Sequence, residues 1–477
     1  MGRKIMSKNL RTYLNQVKKL LPDQIKMIDK EVEPEFGVSA IIEKLENQGE
    51  SPIVLFNNVK GSNIPLLINL GANYDRLALA IDSDTKNIVF EYGKKEQNRI
   101  LVKEVITGPV KDIILKGSDI NLNILPIIKH NAEDAGKYIS AGPTLLKDPD
   151  TGNQNLGLYR LQVQSKDELG LFINPANHGF LIGEKYRELG QKMDVAILLG
   201  HHPAVIMSSV SKLEGYGGEL EVAGGLLGEA IKVVKGETVD LMVPAEQEIV
   251  IEGVVDPQSY RDEGPFGEWP RYYTGRGERW YIKVTAITMR KNPIYQTVMA
   301  AHDEHNTLGA LPRMGSLIRR IKEVLPTVTN VNLPLSGGGR VRCYISIKQH
   351  SDGEAKQAAF IALAVDPNIK HLILVDDDID VFNEKQVLWA LSTRFDARED
   401  LIMMKNCLGS HLIPTAFDIT KRKHGNMETK LIFDATRNVT PYLNGKPFPK
   451  VARVPEEIVN KIVPEEYLKE CTKNFEE

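Results

Sequence analysis

Hydrophobic and polar positions divide the chain into regions of different periodicity, beginning with a mixed helical and extended pattern. Four apolar residues near the start recur at helical spacing: Leu10, Leu14, Val17 and Leu21. Short apolar runs that predict buried strands follow at Ile53–Phe56, Leu66–Leu70 and Ile88–Phe90. Helices and strands in this order predict a small α/β region over residues 1–125.

The central region, residues 126–300, shows mostly the two-residue alternation of β-strands. Between residues 159 and 164 apolar and polar residues alternate strictly, with Arg160 on the polar face. Asn155 and Arg160 differ by an odd number of positions, so we expect Asn155 to belong to the preceding turn, which Gly157 permits. Further strands are predicted at Leu169–Asn174, Val195–Leu199, Leu241–Val243, Glu248–Glu252 and Trp280–Met289. These short strands predict a barrel-like β domain.

Two helices are predicted to interrupt these strands. The first begins just after His178, with Asn177 as its N-cap, so His178 lies where backbone N–H groups favour anions such as phosphate. Its predicted apolar stripe comprises Ile182, Tyr186, Leu189 and Met193. The second runs from Gly224 to Val234 and follows the turn Gly215–Glu219, so Glu219 also lies near a helix start.

Residues 301–450 return to alternating helices and strands. A helix carrying Leu317, Ile321 and Leu325 is predicted to begin at Pro312, because proline suits the first helical position. After it we predict strand Val341–Ile347, helix Ala355–Ala364, strand Leu372–Val375 and helix Val387–Leu391. This order predicts a second α/β domain, and residues 451–477 form a helical tail in which prolines precede acidic pairs.

Composition and charge narrow the class of protein. At 477 residues, with 42% apolar and 26% charged side chains, the chain is a globular protein of two or three domains. The net charge of −3 gives no electrostatic reason to expect nucleic acid or an anionic membrane as partner. The start lacks the apolar core of a signal peptide and the three cysteines are far apart, so we expect a cytoplasmic protein.

The stretch with the clearest chemical content is the turn Arg261–Glu268. Within it, Glu263 and Glu268 bracket a Gly-Pro-Phe-Gly sequence. Proline and glycine together allow a tight turn that aims both carboxylates at one point. General acid–base chemistry needs this arrangement when a basic partner keeps one acid ionised. The alternative is a solvated acidic loop, a common setting for such residues.

A second candidate set is Asn155, His178 and Glu219. An amide oxygen, an imidazole and a carboxylate are mixed ligands suited to Mn²⁺ or Mg²⁺. Their spacing matches no local metal motif, so capping roles are the alternative. The run Asp376–Asp380 could also hold a cation, but loop and cap roles are commoner for acids just past a buried strand.

These residues occur in an order that resembles a known family. The segments that carry the resemblance are Asn155–Arg160, Asn177–His178, Glu219 with Ala223–Gly224, Val243–Ala245 with Glu248–Val250, Glu263–Glu268, Asp376–Val381 and Leu388–Arg394. Over nearly its whole length the chain resembles the UbiD-like decarboxylases, which use prenylated flavin mononucleotide (FMN). The resemblance implies an N-terminal α/β region, a flavin-binding split β-barrel and a C-terminal α/β domain used in oligomerisation.

The resemblance also implies the site residues. Asn155, His178 and Glu219 match the family's ligands to Mn²⁺ (or Mg²⁺), with K⁺ as a further candidate ion. The implied cofactor-binding residues are Asn155, Arg160, Asn177, His178, Glu219 and Lys430, the last of these meeting the flavin phosphate. The implied catalytic residues are Arg160, Glu263 and Glu268. Arg160 would hold Glu263 ionised, and Glu268 would protonate the substrate carbon after CO₂ leaves.

The implied activity is reversible, non-oxidative decarboxylation of an aromatic or heteroaromatic carboxylic acid. The implied assembly is a homo-oligomer, a dimer or hexamer, with a flavin prenyltransferase supplying the cofactor. We expect His305 and Arg313 to bind a second carboxylate, because members of this family that act on furan-2,5-dicarboxylate carry a His and an Arg at similar spacing. The open alternatives are a phenolic, hydroxybenzoate-type substrate, a non-catalytic flavin- or metal-binding oligomer, and an ordinary flavin oxidoreductase.

Overall fold

The computed structural model describes residues 7–211, 217–416, 427–439 and 448–468. The α-helices are α1 (Leu10–Leu20), α2 (Gly37–Asn47), α3 (Tyr74–Ala80), α4 (Ile88–Gln97), α5 (His178–Leu189), α6 (Pro203–Ser208), α7 (Glu219–Leu227), α8 (Asp303–Val324), α9 (Glu354–Val365), α10 (Glu384–Arg394), α11 (Glu456–Val459) and α12 (Pro464–Tyr467). In these ranges every helix is too short or too polar to cross a lipid bilayer.

The strands fall into three main sheets, one in each region of the chain. The first twelve are β1 (Ile25–Ile28), β2 (Ile53–Phe56), β3 (Leu66–Ile68), β4 (Lys103–Glu104), β5 (Ile113–Lys116), β6 (Tyr138–Ile139), β7 (Pro143–Lys147), β8 (Gln154–Leu158), β9 (Arg160–Val163), β10 (Glu168–Phe172), β11 (Met193–Leu199) and β12 (Lys232–Lys235). The remainder are β13 (Met242–Pro244), β14 (Ile249–Val255), β15 (Arg261–Glu263), β16 (Phe266–Gly267), β17 (Tyr273–Thr274), β18 (Gly277–Met289), β19 (Tyr295–Gln296), β20 (Val328–Asn332), β21 (Arg342–Ile347), β22 (His371–Asp376), β23 (Leu401–Leu408) and β24 (Met427–Ala435).

The N-terminal region is a small α/β unit. Its sheet has the order β1-β2-β3-β19, with β1 parallel to β2 and β19 parallel to β3. Because β19 follows the central strands in sequence, the chain returns to this sheet before it enters the C-terminal region. Helix α1 begins with a capping box: Asn9 accepts a bond from the N–H of Thr12, whose hydroxyl accepts one from Asn9.

The central region is a strongly curled antiparallel sheet. Its main order is β6-β9-β10-β18-β14-β11-β7-β8, and β5 and β15 also pair with β18. Strand β18 can pair with so many neighbours because it is long, at 13 residues. Glu252 pairs with Ala286 and Gly253 with Val284, so Thr285 is an extra residue that forms a β-bulge in β18, a feature that increases local bending. The predicted split-barrel architecture is confirmed.

The C-terminal region is a second α/β unit, also as predicted. Its sheet has the order β20-β21-β22-β24-β23, and the three central strands are parallel. Helix α8 enters this region and packs against α4 and α6 as well as α9 and β20. Helix α8 is therefore a mostly buried helix that packs against both the N-terminal and the C-terminal region.

The acidic run after β22 takes part in ion pairs rather than in a cluster of carboxylates alone. Arg394 donates to Asp376 at 2.7 Å and to Asp378 at 3.0 Å, and Arg437 donates to Asp376 at 3.0 Å. Among the described residues, no group of three His, Cys, Asp or Glu side chains is arranged to hold a metal ion. Asp376 and Asp378 thus tie the end of α10 to the segment after β24.

Two predicted elements were wrong in type or extent. The segment Ile88–Phe90, predicted as a strand, is the first turn of α4. A short apolar run cannot distinguish a strand from a buried helix, and here packing against α8 decides for the helix. The helix predicted from Gly224 to Val234 instead begins at Glu219 and ends at Leu227. Gly228, with φ of +72°, terminates it, and β12 follows.

Three boundary predictions near the site also need correction. Asn155 lies inside β8 rather than in a turn, since the strand break falls later, at Tyr159. The stripe predicted for α5 does not hold: Leu189 is exposed and Met193 belongs to β11. Pro312 is inside α8, not at its start. A proline is tolerated there because tertiary packing buries this part of the helix.

Candidate active site

Arg160 joins the two carboxylates of the central turn. Its Nε and Nη2 donate to Oε1 and Oε2 of Glu263 at 2.9 and 2.7 Å, a bidentate pair. Its Nη1 donates to Oε1 of Glu268 at 2.5 Å and to the hydroxyl of Thr274 at 2.6 Å. One guanidinium therefore orients both acids at once.

Short strands hold these three residues in place. Arg160 begins β9, opposite Phe172 of β10. Glu263 ends β15, which pairs with β18, and Glu268 directly follows β16. The turn between the two acids needs glycine at position 264, where φ is +86°, and its Gly264–Pro265 peptide bond is cis. The turn is therefore shaped by the glycine and proline that the sequence places there.

Burial distinguishes the roles of the two carboxylates. The side chain of Glu263 is fully buried, whereas that of Glu268 is 12% exposed. Burial alone would lower the pKa of Arg160, but the hydrogen bond from Arg160 to Glu263 and the charge of Glu268 outweigh it and raise that pKa. Arg160 thus stays charged between a fully buried Glu263 and a partly exposed Glu268.

Aromatic rings line the same group. The guanidinium carbon of Arg160 lies 4.4 Å from the ring centre of Phe172 and 5.2 Å from that of Phe266. The ring of Tyr138 packs 4.4 Å from Phe266, and its hydroxyl donates to the carbonyl of Pro265 at 3.2 Å. The charged trio therefore borders an apolar surface suited to a planar ligand.

Asn155 and Glu219 lie in direct contact. The amide Nδ2 of Asn155 donates to Oε1 of Glu219 at 2.7 Å, and the backbone N–H of Leu156 donates to Oε2 at 3.0 Å. Glu219 is the first residue of α7, and Asn155 lies in the adjacent strand β8. The structure thus unites two of the three metal ligands inferred from the sequence, although they are far apart along the chain.

This pair fits a divalent cation. The Oδ1 atom of Asn155 is buried and has no hydrogen-bond partner within the described ranges. Burial raises the pKa of Glu219 to about 7. A free amide oxygen beside a desolvated carboxylate is a suitable start of a site for Mn²⁺ or Mg²⁺.

His178 begins α5, and Asn177 is its N-cap, although the Asn177 side chain makes no capping bond. A Cβ on Gly179, the next residue, would lie 2.3 Å from the hydroxyl of Tyr159, so the helix start is packed against the end of β8. Further along α5, Lys185 donates to Asp148 at 2.6 Å. These contacts hold the helix that carries His178 against the β7–β8 hairpin that carries Asn155.

Lys430 does not occupy a free position for a phosphate. Its Nζ donates to the carbonyls of Pro367 and Ile369, at 2.5 and 2.6 Å, and to Oε1 of Glu428 at 2.9 Å. All three ammonium hydrogens are thus used inside the C-terminal region, and the side chain is buried. The local sequence match could not show these partners, and a role for Lys430 at the flavin phosphate stays a prediction.

His305 and Arg313 both lie on α8, eight residues apart. Arg313 donates to the buried Asp366 at 2.7 Å, so its charge is already balanced. The Nδ1 atom of His305 accepts a bond from the N–H of Ala301 at 3.2 Å. Burial, and next the charge of Arg340, lower the pKa of His305 to about 3. His305 is therefore neutral at pH 7, with its Nε2–H available as a donor.

Arg340 is the functional candidate that the sequence did not reveal. It is buried, and its guanidinium donates to two neutral acceptors, Oδ1 of Asn306 at 3.3 Å and the carbonyl of Gly338 at 3.1 Å. Burial, and next the charge of Arg313, lower its pKa to about 9. The preceding Gly-Gly-Gly at 337–339 was a signal of close backbone approach, but nothing in the sequence placed it beside α8.

Profiles for three domains of one enzyme family match the chain. Their descriptions are the N-terminal, Rift-related and C-terminal domains of 3-octaprenyl-4-hydroxybenzoate carboxy-lyase, and they match residues 22–96, 103–303 and 306–435. Together they span most of the described chain, and the two candidate sites fall within the Rift-related match.

Individual relatives agree with these matches. The chain is 31% identical to the phenolic acid decarboxylase of Sedimentibacter hydroxybenzoicus over 98% of both chains. It is 28% identical to the anhydromevalonate phosphate decarboxylase of Methanothermobacter thermautotrophicus, over 93% of this chain and 100% of the relative.

Solved structures of the UbiD-class enzyme HmfF from Pelotomaculum thermopropionicum are also similar. The structure with FMN gives a TM-score of 0.89 at 34% identity, covering 97% of this chain and 100% of HmfF. An evolved dimeric form with prenylated FMN gives 0.86 at 32% identity, with the same coverage.

Proposed function

Because the chain belongs to the UbiD family of decarboxylases, we propose that it catalyses the reversible, non-oxidative decarboxylation of an aromatic or heteroaromatic acid with prenylated FMN and a divalent metal. The observation that carries the proposal is the bond pattern of Arg160, which holds Glu263 and Glu268 together. A non-catalytic flavin-binding protein of this fold would have no need to bury two acids around one arginine.

The chain's own residues supply orientation and a proton. Arg160 orients the substrate carboxylate and holds the side chain of Glu263 by two hydrogen bonds. Glu268, the less buried acid, delivers a proton to the substrate carbon once CO₂ has left, and it removes that proton in the reverse reaction. Overall, a carboxylate and one proton become CO₂ and a C–H bond.

Prenylated FMN, when bound, supplies the electron acceptor that no side chain of the chain can provide. Asn155, His178 and Glu219 are the residues proposed to hold Mn²⁺ or Mg²⁺ next to the flavin phosphate. The buried, unpartnered Oδ1 of Asn155 supports this role. A monovalent K⁺ is a further candidate ion, and a flavin prenyltransferase would supply the cofactor.

We propose a substrate that carries a second anionic group, with furan-2,5-dicarboxylate as the leading candidate. The supporting observation is Arg340, a buried cation that no described carboxylate pairs with. The guanidinium of Arg340 lies 4.9 Å from the ring centre of Trp269, the residue that follows Glu268, which supports a position near the proposed catalytic trio. Arg340 with the Nε2–H of His305 would bind the anion, while Arg313 would stay in its ion pair with Asp366.

Two alternatives have specific support. A phenolic acid would use His305 as a hydrogen-bond donor, and the Sedimentibacter relative is a phenolic acid decarboxylase. An unsaturated acid bearing a phosphate would also satisfy Arg340, and the Methanothermobacter relative acts on anhydromevalonate phosphate by name.

The test is CO₂ release by protein produced together with a flavin prenyltransferase. Furan-2,5-dicarboxylate, furan-2-carboxylate, 4-hydroxybenzoate and a phosphate-bearing unsaturated acid form the substrate panel. We expect turnover that depends on Glu268 and is fastest with the dicarboxylate. If a fully loaded protein releases no CO₂ from any acid, the proposed activity is wrong; if the phenol is preferred, only the second-anion assignment is wrong.

We also propose a homo-oligomer, a dimer or hexamer, in the cytoplasm. Exposed apolar residues lie on α10 and on the edge strand β23: Leu388, Trp389, Met403 and Leu408. Such a surface is typical of a protein interface. Light scattering of the purified protein should give a multiple of the 53.3 kDa chain mass, and Trp389→Arg should lower it.

A further inference from the structure

The turn that carries Glu268 is short and closed on itself. The N–H of Glu268 donates to the carbonyl of Tyr272 at 3.0 Å, and the N–H of Arg271 donates to the carbonyl of Glu268 at 2.9 Å. Arg271 has a φ of +65°. The five residues 268–272 therefore move as one unit, so a force on Trp269 or Arg271 is transmitted to Glu268.

Trp269 attaches this turn to the C-terminal region. Its side chain is buried, and the guanidinium carbon of Arg340 lies 4.9 Å from the centre of its ring. On the same side, a Cβ at Gly338 would lie 3.0 Å from two atoms of the indole. The ring is thus held by the loop between β20 and β21.

Arg271 attaches the same turn to the segment before α8 and to helix α2. Its Nε donates to the carbonyl of Ala301 at 3.0 Å, and its Nη2 lies 3.9 Å from Oε2 of Glu46 on α2. Glu46 also accepts the N–H of Asp303 at 3.0 Å and contacts His302 at 2.5 Å. The turn therefore spans from the start of α8 and the N-terminal region to the C-terminal sheet.

We propose that Trp269 is a positioning residue that makes the alignment of Glu268 on Arg160 depend on where the C-terminal region lies. Trp269 directly follows Glu268 in the chain and acts on it through the turn. If the loop between β20 and β21 moved away from the barrel, Arg340 and Gly338 would withdraw from the indole, and the turn would be held only through Arg271. The inference rests on the proposed role of Glu268 as proton donor.

The same geometry links the substrate to the proton donor. Arg340, the residue proposed to bind the second anion, is also the cation stacked on Trp269. An anion that holds Arg340 in place would thereby hold the turn, so a substrate with the correct distal group would also align Glu268. A misplacement of about 1 Å at a reacting group can cost on the order of 10²-fold in rate.

The experiment compares Trp269→Leu and Trp269→Phe in the loaded enzyme. We expect Trp269→Leu to lower kcat by at least about 10-fold with KM changed less than about twofold, to keep flavin and metal, and to alter the pH profile of kcat. Trp269→Phe should recover a large part of kcat, since its ring can still stack on Arg340. Arg271→Met removes the contacts of the turn with Ala301 and Glu46, at a side chain that is 63% exposed. It should also lower kcat without changing the cofactor content.

Trp280→Leu is the matched control, because Trp280 is equally buried but stacks on Phe180 of α5. A kcat of Trp269→Leu within twofold of wild type, or losses of kcat, KM and cofactor that match those of Trp280→Leu, would overturn the proposal. A crystal structure of Trp269→Leu decides it independently of activity: the 2.5 Å contact between Arg160 and Glu268 should be lost. If wild type is inactive, the proposed function fails, while this structural result still supports or overturns the positioning role.

Discussion

The guanidinium of Arg340 rests against Gly309 of α8. A Cβ built on Gly309 would lie 2.4 Å from Nη2 of Arg340, so only glycine leaves room for it. His305, Gly309 and Arg313 follow one another at four-residue spacing and therefore share one face of the helix. Arg340 thus occupies the space between the side chains of His305 and Arg313, which are about 12 Å apart along the helix axis.

Gly309→Ala should displace Arg340 and weaken binding of a second anion. We expect kcat/KM for furan-2,5-dicarboxylate to fall at least about 10-fold, and Arg340→Met to cost about 10²-fold, because a charge-assisted hydrogen bond is worth roughly 1.5–3 kcal/mol. Activity on furan-2-carboxylate should fall less, because that acid lacks the distal anion and is affected only through the contact of Arg340 with Trp269. Steady-state kinetics on both acids measure the effect.

Arg313→Met is the comparison for this series. Its partner Asp366 is buried, so the variant leaves a buried carboxylate without its cation and should lower Tm. The preference for the dicarboxylate over furan-2-carboxylate should change little. If Arg313→Met removes the preference while Arg340→Met retains it, the distal anion binds at Arg313 instead.

Glu268→Gln should abolish turnover while flavin and metal remain bound. The amide keeps the size of the side chain and a hydrogen-bonding oxygen but cannot donate a proton to carbon, so kcat should fall by on the order of 10²-fold or more. Asp262→Asn in the same turn is the control, since Asp262 is exposed and pairs with Arg276 at the surface. Near-normal turnover of a folded Glu268→Gln protein would contradict the role of Glu268.

Glu219→Gln and His178→Ala should each lose metal and flavin together. The carboxylate of Glu219 also accepts the N–H of Leu156, so the variant with glutamine keeps most of the local packing. Metal analysis and flavin absorbance of the purified proteins measure both contents. Glu221→Gln, on the same first turn of α7, should keep both. A variant that binds stoichiometric flavin without metal would contradict the assignment.

Glu96 should make the protein less stable as pH rises. It is fully buried on α4, and burial raises its pKa to about 7, from 4.5 in the unfolded chain. Between pH 4.5 and 7 the unfolded chain loses this proton before the folded protein does, so the stabilising contribution present below pH 4.5 disappears by pH 7. Glu96→Gln should remove this loss and stabilise the protein at pH 8 by up to about 3 kcal/mol.

Denaturant unfolding at pH 5 and pH 8 measures this difference. Glu91→Gln on the same helix, at a half-exposed position, is the control. It should change the free energy of unfolding equally at pH 5 and at pH 8. If Glu96→Gln leaves the difference between the two pH values unchanged, Glu96 is ionised at little cost in the folded protein.

The sequence by itself determined the features that rest on local chemistry. A glycine and a proline between two glutamates predicted the turn that the structure shows, since glycine permits a φ of +86° and proline restricts its own. The apolar run at Ile53–Phe56 and the helix start at His178 were also correct, because a short apolar segment and a capping position are local signals. The family resemblance then grouped residues that spacing alone could not connect.

Only the tertiary structure decided which charged groups meet and which are already paired. Lys430 matched a family position by sequence, yet two carbonyls and Glu428 take all its hydrogens. Pro312 suggested a helix start, but packing between two regions carries α8 through it. The three glycines before Arg340 indicated only a close backbone approach, because the role of Arg340 depends on a buried space over Gly309 and on the ring of Trp269. Desolvation and long-range contacts set these outcomes, and neither is encoded in any local pattern.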